Sequence, residues 1–412
     1  MSGRRAPERR RTMQSHKEAF RRALGADPTR LHAAAHSHHP WPDVTREAHL
    51  AAWDLAAAEL DHKWNVVFGD VLPRARAHVA RVLRLDDPAT VVFAPNTHEF
   101  VARLVSNLPL GTQGRASGRP LRVLSTGSEF HSFTRQAARW VEAGLVEWER
   151  VETQPFDTLA KRFAAAAARG HDLVYTSHVF YDSAYVFEEA PALLAALPDS
   201  TVAVLDGYHG FMAVDTDLSA VAARVFYVSG GYKYAMSGEG ACFMHCPPGR
   251  IERPVDTGWF AGFDALERTD GRVGYGTDGS RFFGATFDVA GLFRMVAVVD
   301  WLQGAGLDVR VIHARVAELF EHFLDHVAAG RAGDLTLDSL LPPRGSTRRG
   351  NFLCFVRPDA TDFCHRLAEQ NTIVDARGDR LRIGFGLYHD HADVDALAAA
   401  CARVSRSAPA RR

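Results

Sequence analysis

The stretch SGGYKYAMSGEG, Ser229 to Gly240, sets a single lysine, Lys233, between two tyrosines and among glycines and other small residues. A solvated lysine normally sits in a charged helical context, yet the nearest charge here is Glu239. The setting is a glycine-rich loop, which lets backbone approach a partner closely, with one ammonium inside it.

Upstream, VLDGYHG puts Asp206 at the end of the apolar run VAVLD (202–206), with His209 three residues later. Lys233 follows the next apolar run, VFYVS (225–229). Similar runs stand at TVVFA (90–94), LRVLS (121–125), DLVYT (172–176) and ACFM (241–244), and helical segments at 98–108, 133–144 and 158–170 separate several of them. Short runs of this kind suit strands buried on both faces of a mostly parallel sheet. The C-terminal ends of parallel strands form the ligand crevice of such a sheet, so Asp206, His209 and Lys233 converge there. A carboxylate beside a heterocyclic nitrogen and an imine-forming lysine are what pyridoxal phosphate (PLP) requires. Taken singly, Asp206 reads as a strand-end cap and Lys233 as a surface charge; their order and setting together favour the cofactor.

Other chemistries lack a foothold. Neither G-x-G-x-x-G after a strand nor G-x-x-x-x-G-K-[ST] occurs. Lys+Arg (48) nearly cancels Asp+Glu (49), which argues against a nucleic-acid footprint or a polybasic membrane surface. No apolar run reaches the roughly 18 residues of a membrane span, and the opening MSGRRAPERRR lacks the apolar segment of a signal peptide, so a cytoplasmic protein is expected. Five cysteines without Cys-x-x-Cys spacing argue against a disulfide framework. No metal is expected either: CFMHC (242–246) has no second ligand pair, and the His-rich LHAAAHSHHPWPD (31–43) is broken by Pro40 and Pro42.

Together, DGYHG and GGYKYAMSGEG resemble the class V aminotransferase group of fold-type I PLP enzymes, and within it the kynureninase-like branch, over roughly residues 30–405. The resemblance implies an α/β fold: a mostly parallel seven-stranded sheet in a large domain (61–295) and a smaller C-terminal α+β domain (296–412). Before these it implies an N-terminal segment near the active site (16–60), behind a disordered basic tail (1–15). It implies a homodimer with shared active sites, a small-molecule amino-acid substrate, and no nucleic-acid or membrane partner.

The residue roles it implies are these. Lys233 is the catalytic Schiff-base lysine, Asp206 partners the ring nitrogen, and His209 stands where kynureninases also carry histidine. APNTHEFVARLV places Thr97 and His98 at the cofactor phosphate, as the dipole of a helix N-terminus favours. Phe130 in SEFHSF stacks on the ring, Ser229 and Tyr232 add phosphate contacts, and Thr286 in RFFGATFD reaches the partner's phosphate. On the substrate side the resemblance names Arg382 for the carboxylate, with Tyr181, Trp259, His36 and His38. The favoured reaction is hydrolytic cleavage between Cβ and Cγ; transamination and C–S β-elimination share its early steps. Cysteine desulfurases carry a reactive cysteine just before the substrate arginine, and NTIVDARGDRLRIG (371–384) has none.

Overall fold

The computed structural model describes residues 15–108, 119–266 and 271–406. The basic stretches expected to form tails, before residue 15 and after 406, lie outside those residues.

The apolar runs form strands. In chain order they are β1 (Leu31–His32), β2 (Val91–Ala94), β3 (Leu121–Thr126), β4 (Val146–Val151), β5 (Leu173–Ser177), β6 (Val202–Asp206), β7 (Phe226–Gly230), β8 (Cys242–His245), β9 (Leu340–Leu341), β10 (Leu353–Val356), β11 (Thr372–Ile373), β12 (Asp375–Arg377) and β13 (Arg380–Ile383). Seven of them make one sheet, ordered β2-β8-β7-β6-β5-β3-β4. All pairings in it are parallel except those of β8, which runs against both β2 and β7. Every residue of β5, β6 and β7 is buried, because helices cover both faces. Each large aliphatic or aromatic side chain so buried contributes about 1.5–3 kcal/mol relative to exposure.

A second apolar cluster gathers around β10, β13 and the helices Val309–Ala328, Ala360–Ala368 and His391–Arg406. Its sheet runs β12-β13-β10-β9 with antiparallel neighbours. The long helix Val309–Ala328 belongs to both clusters: Val309 and Ile312 pack with the large sheet, and Val316 onward packs with the small one.

The N-terminal segment ties the two together. β1 pairs in parallel with β11, and Ala34 bridges to Gly384. Glycine at 384 is required, since a Cβ there would lie 2.4 Å from His36 Nδ1. The segment is therefore an extended strap, so His32 and His36 do not share a helical face. Among the described residues no helix is long and apolar enough to cross a membrane.

Candidate active site

At the C-terminal ends of β5, β6 and β7 lies a cavity of about 390 Å³, a size that suits a small cofactor with its substrate. Thr97, Phe130, Tyr181, Asp206, His209, Tyr232, Lys233 and Arg382 all line it. Each arrives by a different piece of local folding. Asp206 ends β6, and Lys233 follows β7 in the glycine-rich loop. Thr97 opens the helix Thr97–Ser106, whose N-cap Asn96 accepts a hydrogen bond from the Glu99 N–H at 3.1 Å. Phe130 precedes the helix His131–Glu142, and its ring meets Tyr181 edge-on at 5.5 Å.

Lys233 Nζ donates to the His36 carbonyl at 2.8 Å. Burial, then the charge of Arg382, lowers its pKa from 10.5 to about 7, against weaker upward pulls from Asp375 and Asp206. A large part of this lysine is thus a neutral amine near pH 7, the form that attacks a carbonyl.

Asp206 is buried beneath the cavity. Its Oδ2 accepts from the Tyr175 hydroxyl at 2.5 Å and its Oδ1 from the Tyr208 N–H at 2.9 Å. Burial raises its proton affinity, while those hydrogen bonds and the Lys233 charge pull it back. Phe133 stacks on Tyr175 at 4.0 Å and holds the phenol in place. His209 is buried, its Nε2 has no partner among the described residues, and burial followed by the charges of Lys233 and Arg382 keeps it neutral.

Arg382 is fully enclosed. NH1 donates to the Tyr181 carbonyl at 2.7 Å, NH2 pairs with Asp375, and Nε has no partner among the described residues. Asp375 also faces His36 Nε2 at 3.6 Å, too far for a direct hydrogen bond, and Arg377 at 3.2 Å. Burial opposes its ionisation, but His36, Arg382 and Arg377 hold its carboxyl well below the usual range.

Six expected residues stand elsewhere. His98 lines a separate surface cavity with His131 and Arg135. The Ser229 hydroxyl turns into the sheet and donates to the Gly207 carbonyl at 3.2 Å. Trp259 Nε1 donates to Thr286 Oγ1 at 3.2 Å, and neither residue lines the cavity of its own chain. The His36 ring is buried on Phe352, 4.8 Å away, and only its carbonyl reaches Lys233. His38 is exposed and meets the Tyr232 hydroxyl at 2.9 Å through Nδ1.

Residues that sequence reasoning missed complete the site. Arg377, Ser177 and Asn96 line the cavity, with Tyr175 and Asp375 behind it. Glu129 is buried alongside, accepting from Thr126 Oγ1 and, at 2.6 Å, from Ser177 Oγ. Burial, reinforced by the nearby Asp206 charge, raises its pKa from 4.5 to about 8 despite these hydrogen bonds.

This donor set fits PLP. Asp206 is a buried carboxyl whose partners are one phenol and one peptide N–H, so a protonated ring nitrogen would give it the charge it lacks. A helix N-terminus stands at Asn96 and Thr97 for the phosphate, and Lys233, its pKa lowered to about 7, lines the same cavity.

Comparison with known proteins agrees with this architecture. The family model of the kynureninase C-terminal domain matches residues 312–401. Isopenicillin N epimerase of Streptomyces clavuligerus is 27% identical over 382 residues, covering 84% of this chain and 87% of the epimerase. A mutant of C-DES with glycine covalently linked to its PLP cofactor superimposes with a TM-score of 0.77 at 16% identity, over 94% of this chain and 99% of that one. The apo cysteine desulfurase of Thermococcus onnurineus NA1 gives 0.76 at 15% identity, over 96% and 99%. With its sheet order and its lysine and aspartate at adjoining strand ends, the chain has the fold of the fold-type I PLP-dependent enzymes, and these matches make it similar to members of the class V group.

Proposed function

We propose that the chain, as a cytoplasmic homodimer, cleaves the side chain of an α-amino acid between Cβ and Cγ with water, in the manner of a kynureninase. The observation that carries the Cα chemistry is Lys233: a buried amine, its pKa lowered to about 7, that shares one cavity with Asp206 and Arg382. When bound, PLP supplies an electron sink that acidifies the substrate Cα–H.

The chain's own residues do the rest. Asp206 would hold the ring nitrogen, Phe130 would pack against the ring, and the helix start at Thr97 would take the phosphate. Arg382, which lines the cavity with Arg377, orients the substrate carboxylate. Lys233 takes the Cα proton at Nζ and returns a proton where the leaving side chain deposits charge. Water supplies the hydroxyl that leaves with the released acid.

Support for the kynureninase-like outcome comes from the C-terminal match, which spans Arg377 and Arg382. A second reading, β-elimination at a C–S bond, draws support from the fold shared with C-DES, described as a cystine C–S lyase. None of the five cysteines is exposed, which disfavours sulfur transfer to a thiol of this chain. The dimer has support in an exposed apolar band containing Trp259, Phe263, Leu266 and Val273.

The test follows the visible spectrum of the holoenzyme while single amino acids, including L-kynurenine, are added without keto acid. Recovery of the starting spectrum with alanine and an aromatic acid as products supports hydrolysis. Pyruvate and ammonia from a cysteine conjugate would replace it with elimination, and a spectrum restored only by a keto acid would replace it with transamination. Lys233→Ala abolishes turnover in each case, and an active variant would overturn the site assignment.

A further inference from the structure

Away from the catalytic cavity, three side chains converge on the surface of the second apolar cluster. His322 and His326 lie four residues apart on the helix Val309–Ala328, and so share one face. Facing them, Asp395 lies on the helix His391–Arg406, four residues after His391. The Nε2 atoms of both histidines reach the same oxygen, Asp395 Oδ1, at 2.7 Å each, and one ligand atom from each residue lies within 4.8 Å of the others. His391 flanks the set, its ring 4.6 Å from that of His322. Two helices thus present paired residues at a spacing of four across one seam, and the cluster shares no residue with the catalytic cavity.

We infer that His322, His326 and Asp395 form a binding site for a divalent transition-metal ion, zinc by donor type, that staples the helix Val309–Ala328 to the C-terminal helix. Two imidazole nitrogens and one carboxylate oxygen are a borderline donor set that suits zinc over calcium or magnesium. A tetrahedral ion at ~2.0–2.1 Å from each ligand sets ligands ~3.3 Å apart. The present 2.7 Å contacts need to open by only a fraction of an ångström. Solvent takes the fourth position. The side chains are partly exposed, 32% for His322, 14% for His326 and 55% for Asp395, so the ion has an entry path.

One neighbour opposes the ion in a way that can be measured. Arg331 Nε donates to His326 Nδ1 at 3.0 Å. An imidazole that ligates through Nε2 while neutral carries its proton on Nδ1, so two donors would then face each other. Arg331 is exposed and free to swing away, and binding requires that it does.

The experiment uses untagged, chelator-stripped holoenzyme titrated calorimetrically with zinc chloride, together with melting curves with and without zinc. Expected are one ion per chain, an affinity at least tenfold weaker in both His322→Ala and Asp395→Asn, and an affinity several-fold tighter in Arg331→Ala. His62→Ala, a change at an exposed histidine elsewhere, leaves the affinity unchanged. Zinc raises the melting temperature of the parent protein and not that of His322→Ala. An affinity within twofold of the parent in both ligand variants, or no bound zinc in the parent, overturns the assignment. Should one ligand variant fail to fold, the other and Arg331→Ala decide it.

Discussion

Gly238, five residues past Lys233, offers a sharp test of how the strap and the lysine loop depend on each other. Its φ is +72°, and a Cβ placed there would sit 2.2 Å from Trp41 Cζ2, inside the van der Waals envelope of the indole. Trp41 cannot easily retreat, because the Arg294 guanidinium lies over its ring at 5.1 Å and itself donates to the Ser237 carbonyl at 2.7 Å. Gly240, two residues on, also has positive φ at +87°, but its nearest atom is the Asp288 carbonyl oxygen at 3.8 Å. Alanine at either position incurs the left-handed backbone penalty of ~1–2 kcal/mol. Alanine at 238 adds the cost of moving a packed ring, ~1–3 kcal/mol. Gly238→Ala should therefore destabilise by about 2–5 kcal/mol in total and Gly240→Ala by about 1–2 kcal/mol. Urea unfolding of the two variants, each also made in a Trp41→Ala background, measures the difference directly. In that background the extra loss at 238 should vanish. Equal destabilisation by the two alanines, within about 0.5 kcal/mol, would refute the close packing of strap on loop.

Three further outcomes follow from the charges around the cavity. Because the Lys233 pKa is lowered to about 7, the rate at which apoenzyme captures PLP should rise with pH through a midpoint of about 7 and flatten about one pH unit above it; a midpoint above 9 contradicts the burial argument. Asp375 raises the Lys233 pKa and balances Arg382 and Arg377, so Asp375→Asn should move that midpoint to lower pH, and an unmoved midpoint would show the charges to be uncoupled. Burial lowers His36 and His389 to about 3 and His32 and His39 to about 4, from 6.5. Below pH 6.5 the unfolded chain binds more protons at these four sites, so stability falls as pH drops from 6.5 towards 4. Glu129 works the other way, since its folded pKa of about 8 adds stability as pH falls towards 4.5. Glu129→Gln should accordingly steepen the acid loss, read as the urea midpoint between pH 7 and 5, and a midpoint flat over that range refutes the buried-histidine reading.

The sheet was legible where strands are buried on both faces, because a run such as VAVLD has no other stable use in a chain of this size. Six runs were readable within a residue or two of their observed ends. The seventh strand, β4 (VEWERV), sits at the sheet edge, with its two end valines buried and Glu147 and Arg150 exposed. Its charges hide the strand from any search for apolar runs. Asp206 and Lys233 were legible because strand ends and glycine loops are visible in sequence. Tyr175 and Glu129 were not, because their meaning lies in contacts across strands: Tyr175 looks like one more apolar strand residue until its hydroxyl is seen on Asp206. Asp375 lay inside the stretch read for Arg382, and only the antiparallel register of β12 and β13 shows that the two side chains meet. The His322–His326–Asp395 cluster was hidden for the same reason, since its carboxylate comes from another helix.

The strap also bears on how the protein is made. Its strand β1 pairs with β11, its Ala34 pairs with Gly384, and its His36 carbonyl holds Lys233. Synthesis delivers the strap first and its docking strand roughly 340 residues later, a wait of about 17–70 s at ~5–20 residues per second. During that interval the large sheet can assemble, but the wall of the catalytic cavity has no seat. A nascent chain stalled before residue 372 would hold Lys233 in a site open to solvent, and PLP retention would begin only when the last strands leave the ribosome.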